Sequence, residues 1–269
     1  MKDACRHPIY LATALLERNR WAPPPRSPTI RVSEWLPRIA GAGFQGVELW
    51  ENHWRLASEE ERAALRASPV PIRIFNSYIP LDAAPPEELA GLTGAVSALS
   101  GTLDGIKFNL PRGQGAPAGS ALRALSQAQA LPRSVRLFCE CHPGTVADSP
   151  ATAAQAFALW PGDRFAAIVH PLFDDAATYA AWLRALEGRI AHAHLQLPGK
   201  NCRRLALADH RQFAADRLGA LLQSGYRGTF TLEFTAGVER PDTPLESLWV
   251  NACNDLAVLR GILPATTPA

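Results

Sequence analysis

Short runs of apolar and β-branched residues alternate along this chain with longer Ala/Leu-rich stretches whose apolar positions recur every three or four residues. The short runs fit the two-residue period of strands and the long stretches fit the 3.6-residue period of helices. This pattern predicts strands at Pro8–Ala12, Gly46–Trp50, Pro71–Asn76, Gly105–Leu110, Val135–Cys141, Phe165–His170, Ile190–Leu195 and Thr229–Phe234. Between them it predicts helices at Ser33–Ala42, Ser58–Ala67, Pro86–Leu99, Ser120–Ala130, Pro150–Leu159, Ala176–Leu186, Ala206–Ser224 and Pro244–Arg260. Ser33 and Ser58 read as helix starts, and Gly41, Gly43, Gly188, Gly225 and Gly228 read as stops. Eight strand-then-helix units are the count of a (β/α)8 TIM barrel, expected here as a single α/β domain over residues 1–269. The rival is an open doubly wound sheet, which normally carries a Gly-rich phosphate loop after its first strand. Gly113-Gln114-Gly115 follows the fourth strand instead and lacks the third glycine.

Parity within each strand separates packing residues from residues that face a barrel lumen. On the fifth strand Phe138, Glu140 and His142 share one face, opposite Leu137, Cys139 and Cys141. On the eighth, Phe230, Leu232 and Phe234 oppose Thr229, Thr231 and Glu233. The seventh puts Ile190, His192, His194 and Gln196 together, the sixth Ala166, Ile168 and His170. Glu48 with Trp50, and Lys107 with Asn109, come from earlier strands. An unpaired buried carboxylate costs several kcal/mol, so lumen-facing Glu140 and Glu233 demand a cation or donors. His192, one layer deeper, also fits a hydrogen-bonded core histidine, and Glu48 with Lys107 also fits a structural ion pair. His53 and Trp54 read as a loop wall over the site or as plain surface, and Cys139 and Cys141 as packing.

Composition narrows the function classes. A net charge of +2 from 27 basic and 25 acidic residues supplies no basic field, so neither nucleic acid nor an anionic membrane is an expected partner. The charged start of the chain, Met1 to His7, lacks the apolar run of a signal peptide, and no stretch reaches the roughly 20 apolar residues of a spanning helix. A cytoplasmic protein is expected, with assembly into homo-oligomers left open. The cysteines Cys5, Cys139, Cys141, Cys202 and Cys253 lack zinc-ribbon spacing and read as reduced thiols.

Four stretches carry a family resemblance: Gly43-Phe44-Gln45-Gly46-Val47-Glu48-Leu49-Trp50, Glu140-Cys141-His142-Pro143-Gly144-Thr145, Arg189-Ile190-Ala191-His192-Ala193-His194 and Gly228-Thr229-Phe230-Thr231-Leu232-Glu233. In order over most of the chain, they resemble the xylose isomerase-like TIM barrel superfamily of sugar phosphate isomerases and epimerases. The resemblance implies a divalent metal held by Glu140, His170, His194 and Glu233. Two departures accompany it: His170 stands where the family usually has Asp, and Gln196 follows His194 where an acid often stands two positions on. A two-Glu, two-His shell suits Mn²⁺, Co²⁺ or Zn²⁺ better than Mg²⁺.

The resemblance further implies an isomerase or epimerase of a small sugar, keto-sugar, polyol or sugar phosphate, working through an enediolate. Glu140 and Glu233 are the expected acid and base. His142 and Lys107 are expected to orient hydroxyls or stabilise negative charge, Trp50 or Trp54 to offer an apolar face, and Glu48 and His53 to complete the substrate site, while Arg203 and Arg204, in the loop after the seventh strand, read as reaching an anionic substituent or as plain surface. Alternatives on the same residues are a dehydratase or lyase, and a catalytically silent barrel that binds a sugar or serves as a partner subunit. A metal-dependent nuclease of the superfamily would need a basic groove that this charge does not supply.

Overall fold

The computed structural model describes residues 7–112 and 116–264; Cys5 and Gly113-Gln114-Gly115 lie outside the described residues. In chain order the elements are β1 (Ile9–Ala12), α1 (Val32–Ala42), β2 (Val47–Trp50), α2 (Asn52–Arg55), α3 (Glu59–Ala67), β3 (Ile72–Pro80), α4 (Pro86–Leu99), β4 (Gly105–Asn109) and α5 (Pro117–Gln127). They continue with β5 (Arg136–Glu140), α6 (Pro150–Ala158), β6 (Phe165–Val169), α7 (Ala176–Ala185), β7 (Ile190–Leu195), β8 (Leu197–Pro198), β9 (Arg204–Leu205), α8 (Arg211–Gln223), β10 (Thr229–Leu232) and α9 (Leu245–Ile262). Strands β1 to β7 and β10 close into a parallel barrel, β10 sealing it between β7 and β1, as the strand and helix alternation predicts.

Two faces of each strand serve two cores. Leu11, Leu49, Leu137, Cys139, Ala167, Ala193, Phe230 and Leu232 point outward into the layer shared with the helices. Tyr10, Ile74, Phe138, Ala166 and Ile168 form a separate cluster inside the lumen. Each fully buried aliphatic or aromatic side chain contributes about 1.5–3 kcal/mol. Gly105 makes room for the inner cluster: a Cβ there would stand 2.2 Å from the Phe138 ring. Tyr10 donates to Asp104 at 2.7 Å at this end. Burial and the Asp104 carboxylate push the Tyr10 phenol above its ordinary range, so it stays neutral.

Helix ends follow local chemistry. Ser58 accepts from Glu61 N–H at the start of α3, and Gly43 ends α1 in the left-handed region at φ 99°. The helix expected over Ala206–Ser224 begins only at Arg211, behind a 3-10 turn over Leu207–His210. A second departure matters more for the site. The antiparallel β8–β9 pair, two residues per strand, lies beyond the barrel after β7 and was not predicted. Pairs so short carry no readable period.

The barrel ladder also stops short of the predicted ends, so His170 and Glu233 stand one residue beyond β6 and β10. Among the described residues no helix is long and apolar enough to cross a membrane, and Cys139, Cys141, Cys202 and Cys253 are free.

Candidate active site

Polar residues fill the lumen above Phe138 and Ile168. His194, at 0 % exposure, is their centre. Its Nδ1 lies 3.1 Å from Glu140 Oε1 and 3.5 Å from Glu233 Oε2, and its Nε2 lies 3.0 Å from Glu48 Oε2. Asn76 donates to the other Glu48 oxygen at 2.6 Å. His170 Nε2 stands 3.3 Å from Glu140 Oε1 and 3.7 Å from Glu233 Oε2. Lys107 Nζ sits 2.8 Å from Glu140 Oε2 and lies over the Tyr78 ring at 4.5 Å. The expected lumen partner of Lys107 was Glu48; the structure gives it Glu140 instead, and Glu48 goes to His194.

Burial pushes the three carboxyls up, and neighbouring positive charge outweighs it. Lys107, with His170 and His194, holds Glu140 well below the usual carboxylate range. His194 brings Glu233 to about 2, and His194 with His192 holds Glu48 low. Burial opposes charge on His194, but Glu48 and Glu233 raise it well above the ordinary imidazole range. His170 is raised by Glu140 and Glu233 against the same desolvation. Lys107 is raised in the same way, mainly by Glu140, and stays cationic.

The four side chains that resemble a metal shell have the geometry of one. Glu140, His170, His194 and Glu233 each bring one donor atom within 4.8 Å of the others. Four of their separations are 3.1, 3.3, 3.5 and 3.7 Å. Donors about 2.0–2.2 Å from one ion at tetrahedral angles stand about 3.3–3.6 Å apart. His170 Nδ1 lies 3.3 Å from the Cys141 carbonyl, while its buried Nε2 has no hydrogen-bond partner. An Nδ1–H donated to that carbonyl leaves a bare Nε2 lone pair facing two carboxylate oxygens, which requires a proton or a cation between them. On the far side of His194, Glu48 stands where a carboxylate orients a metal-bound imidazole. The residues fit a divalent ion.

His192 belongs to a second group with Glu48 and His194, but Thr229 and Thr231 hydroxyls meet both its nitrogens at 2.7 and 2.9 Å. It stacks on Tyr10 and Phe138, and burial lowers its pKa. Above the cluster opens a cavity of about 310 Å³ whose lining includes Trp50, Lys107, Glu140, His142 and Glu233. His142 leans edge-on to His170 at 5.5 Å.

Other expected residues lie elsewhere. His53 is buried behind Trp50, between Thr13 at 2.8 Å and Glu17 at 3.0 Å, and does not line this cavity. Trp54 lines a separate cavity of about 660 Å³ together with Arg55 and Arg66. Arg203 is exposed, 4.0 Å from Glu239, whereas its neighbour Arg204 lines the mouth. Sequence reasoning missed Trp21, Arg26, Tyr78 and Phe234 there. The first two come from the loop after β1, which has no period to read; Asn109 also lines the cavity, on the face it shares with Lys107 as parity predicts.

No protein-family model matches the sequence, and no curated protein does. Solved structures do match the fold. D-psicose 3-epimerase with D-tagatose from Clostridium cellulolyticum H10 is 13% identical with a TM-score of 0.66, over 96% of this chain and 100% of that one. The apo form of 3-keto-D-glucoside 4-epimerase, YcjR, from E. coli is 15% identical, TM-score 0.63, over 95% and 99%. IolI with a bound zinc atom is 11% identical, TM-score 0.67, over 95% and 99%. This chain has the fold of the xylose isomerase-like TIM barrels.

Proposed function

We propose that the protein is a divalent-metal-dependent isomerase or epimerase of a small sugar or keto-sugar, moving a proton beside a carbonyl through an enediolate. The observation that carries this reading is the convergence of Glu140, His170, His194 and Glu233 below an open cavity, with one donor atom of each within 4.8 Å of the others and four of the separations between 3.1 and 3.7 Å. Epimerases and a zinc-bound protein of the same fold support it. Those four residues hold the ion, which when bound supplies a Lewis acid for a substrate carbonyl and its neighbouring hydroxyl.

The side chains divide the remaining work. Hydrogen bonds and close contacts of Glu233 fall on Oε2, leaving Oε1 free to take a carbon-bound proton. Glu140 is engaged through both oxygens, by Lys107 on one and by His170 and His194 on the other, and serves the opposite face. The Lys107 ammonium lies where it balances negative charge on Glu140 or on a reacting oxygen. Asn109 Oδ1, buried without a partner, is an acceptor for a substrate hydroxyl. Trp50 offers its ring to sugar carbons.

Metal analysis and NMR in D₂O test the reading together. Purified protein reconstituted with Mn²⁺, Co²⁺ or Zn²⁺ should retain about one ion and, at hundredfold excess over Kd, gain about 2.7 kcal/mol of stability. His170→Ala should lose most of that gain. Solvent deuterium should enter product at the epimerised carbon; loss of water instead would assign a dehydratase. No retained ion, together with turnover indifferent to Glu140→Gln and Glu233→Gln, would overturn the proposal.

A further inference from the structure

The mouth of the cavity carries more positive charge than its carboxylates balance. Arg26, Lys107 and Arg204 line it against Glu140 and Glu233, with Arg20 beside them balanced by Glu17, and Glu140 and Glu233 already face Lys107 and two imidazoles. A divalent ion on the cluster would widen the excess. The whole chain is only +2, so the imbalance is local. Such a concave positive field concentrates anions.

The arginines are also held in place. Arg20 spends donors on the carbonyls of Ala14, Leu15 and Val238, so its charge is fixed. Its guanidinium lies 5.3 Å over Trp21, Trp21 packs 5.5 Å from Phe234, and Arg204 lies 5.9 Å over Phe234. Arg204 Nε donates to Gln196, whose amide donates to Glu233, which links Arg204 to the reacting cluster through one buried side chain. Glu239 accepts from the Arg204 backbone N–H and faces Arg203, so it does not neutralise the Arg204 head. Neither Arg26 nor Arg204 has a carboxylate within ion-pair distance among the described residues.

Backbone strain gathers at the same place. The positive-φ residues other than glycine, among those described, are Arg26 at 50°, Asn201 at 55° and Cys202 at 59°. The first is a mouth arginine, and the other two make the turn that delivers Arg204 through β9. Strain of this kind persists where a side chain must be aimed.

We propose that this mouth is an anion subsite, in which Arg204 and Arg26 take the carboxylate or phosphate of an acidic sugar whose carbonyl end lies on the Glu140 and Glu233 cluster. The sugar half of the assignment rests on the isomerase reading; the anion half stands on the arginines alone. A planar guanidinium matches both oxyanions bidentately.

Isothermal titration of the Mn²⁺-reconstituted protein with D-ribulose, D-ribulose 5-phosphate, D-glucuronate and inorganic phosphate tests it. Inorganic phosphate and at least one acidic sugar should bind, the latter about tenfold or more tighter than D-ribulose. The preferred anion identifies the source. Arg204→Gln should erase the preference, Arg204→Lys should keep part of it by retaining charge, and exposed Arg203→Gln should leave it intact, with circular dichroism confirming that each variant is folded. Equal binding of all three sugars, or a preference unmoved in Arg204→Gln, overturns the subsite while leaving the isomerase reading standing. Phosphate binding through Arg204 with no sugar bound keeps the subsite and counts against the sugar reading. Silence to all four probes overturns the subsite.

Discussion

Two buried groups in this barrel use the same residue types and end in opposite states. At the lumen top, Glu140, Glu233, His170 and His194 converge with His170 Nε2 unpartnered. Behind Trp50, Glu17 and His53 meet at 3.0 Å, with both residues essentially inaccessible. Glu17 also accepts from Thr29 and from the Asn19 and Thr29 backbone, while Thr13 meets the other His53 nitrogen. Nothing in the second group asks for a further partner. Burial and composition therefore do not mark a reactive site; incomplete satisfaction beside a cavity does.

The largest test of the contrast is activity. Glu233→Gln should lower kcat/KM by about a hundredfold to ten-thousandfold, the usual span for a lost general base, whereas Glu17→Gln should leave it nearly unchanged in deuterium-exchange assays. Stability should reverse the order. Glu17→Ala leaves His53 and Thr29 buried without their acceptor and should cost about 3–5 kcal/mol in urea unfolding. A comparable loss of stability from Glu233→Ala would erase the distinction.

Acid pH gives a third measure. Burial pushes the Glu17 carboxyl up, but donors from His53, Thr29 and Asn19 prevail and bring it from 4.5 to about 2. A depressed folded-state pKa stabilises above the unfolded value and is lost as pH falls through the folded one. Glu17 should therefore contribute about 3 kcal/mol above pH 5, vanishing toward pH 2, and Glu17→Gln should flatten that limb of the unfolding curve. The smallest effect concerns His192, which lies in the lumen yet is satisfied like His53. Thr231→Val removes one of its hydroxyl partners and should cost about 1 kcal/mol in urea unfolding with little change in kcat/KM.

Legibility differed by element. The barrel could be read because each strand needs its own alternation and each helix its own stripe, and both are local. Phe138 and Glu140 inward against Leu137 and Cys139 outward followed from parity, and the lumen cluster and outer layer divide them that way. The choice between Arg203 and Arg204 did not follow, because adjacent residues point oppositely and only the pairing of Pro198 with Arg204 sets which one faces the mouth. His53 could not be placed either, since its neighbours Thr13 and Glu17 precede it by 40 and 36 residues.

By itself the sequence determined the eight-fold alternation, the inward parity of Glu48, Lys107, Glu140, His192 and His194, and the resemblance that named Glu140, His170, His194 and Glu233 together. Only the tertiary structure decided who partners whom: Lys107 with Glu140, Glu48 with His194, His192 with two threonines, and Arg204 with Gln196. The reason is physical. Periodicity and parity are properties of neighbouring residues, whereas the environment of a buried charge is summed over groups from many strands, such as His194 and Glu48, 146 positions apart.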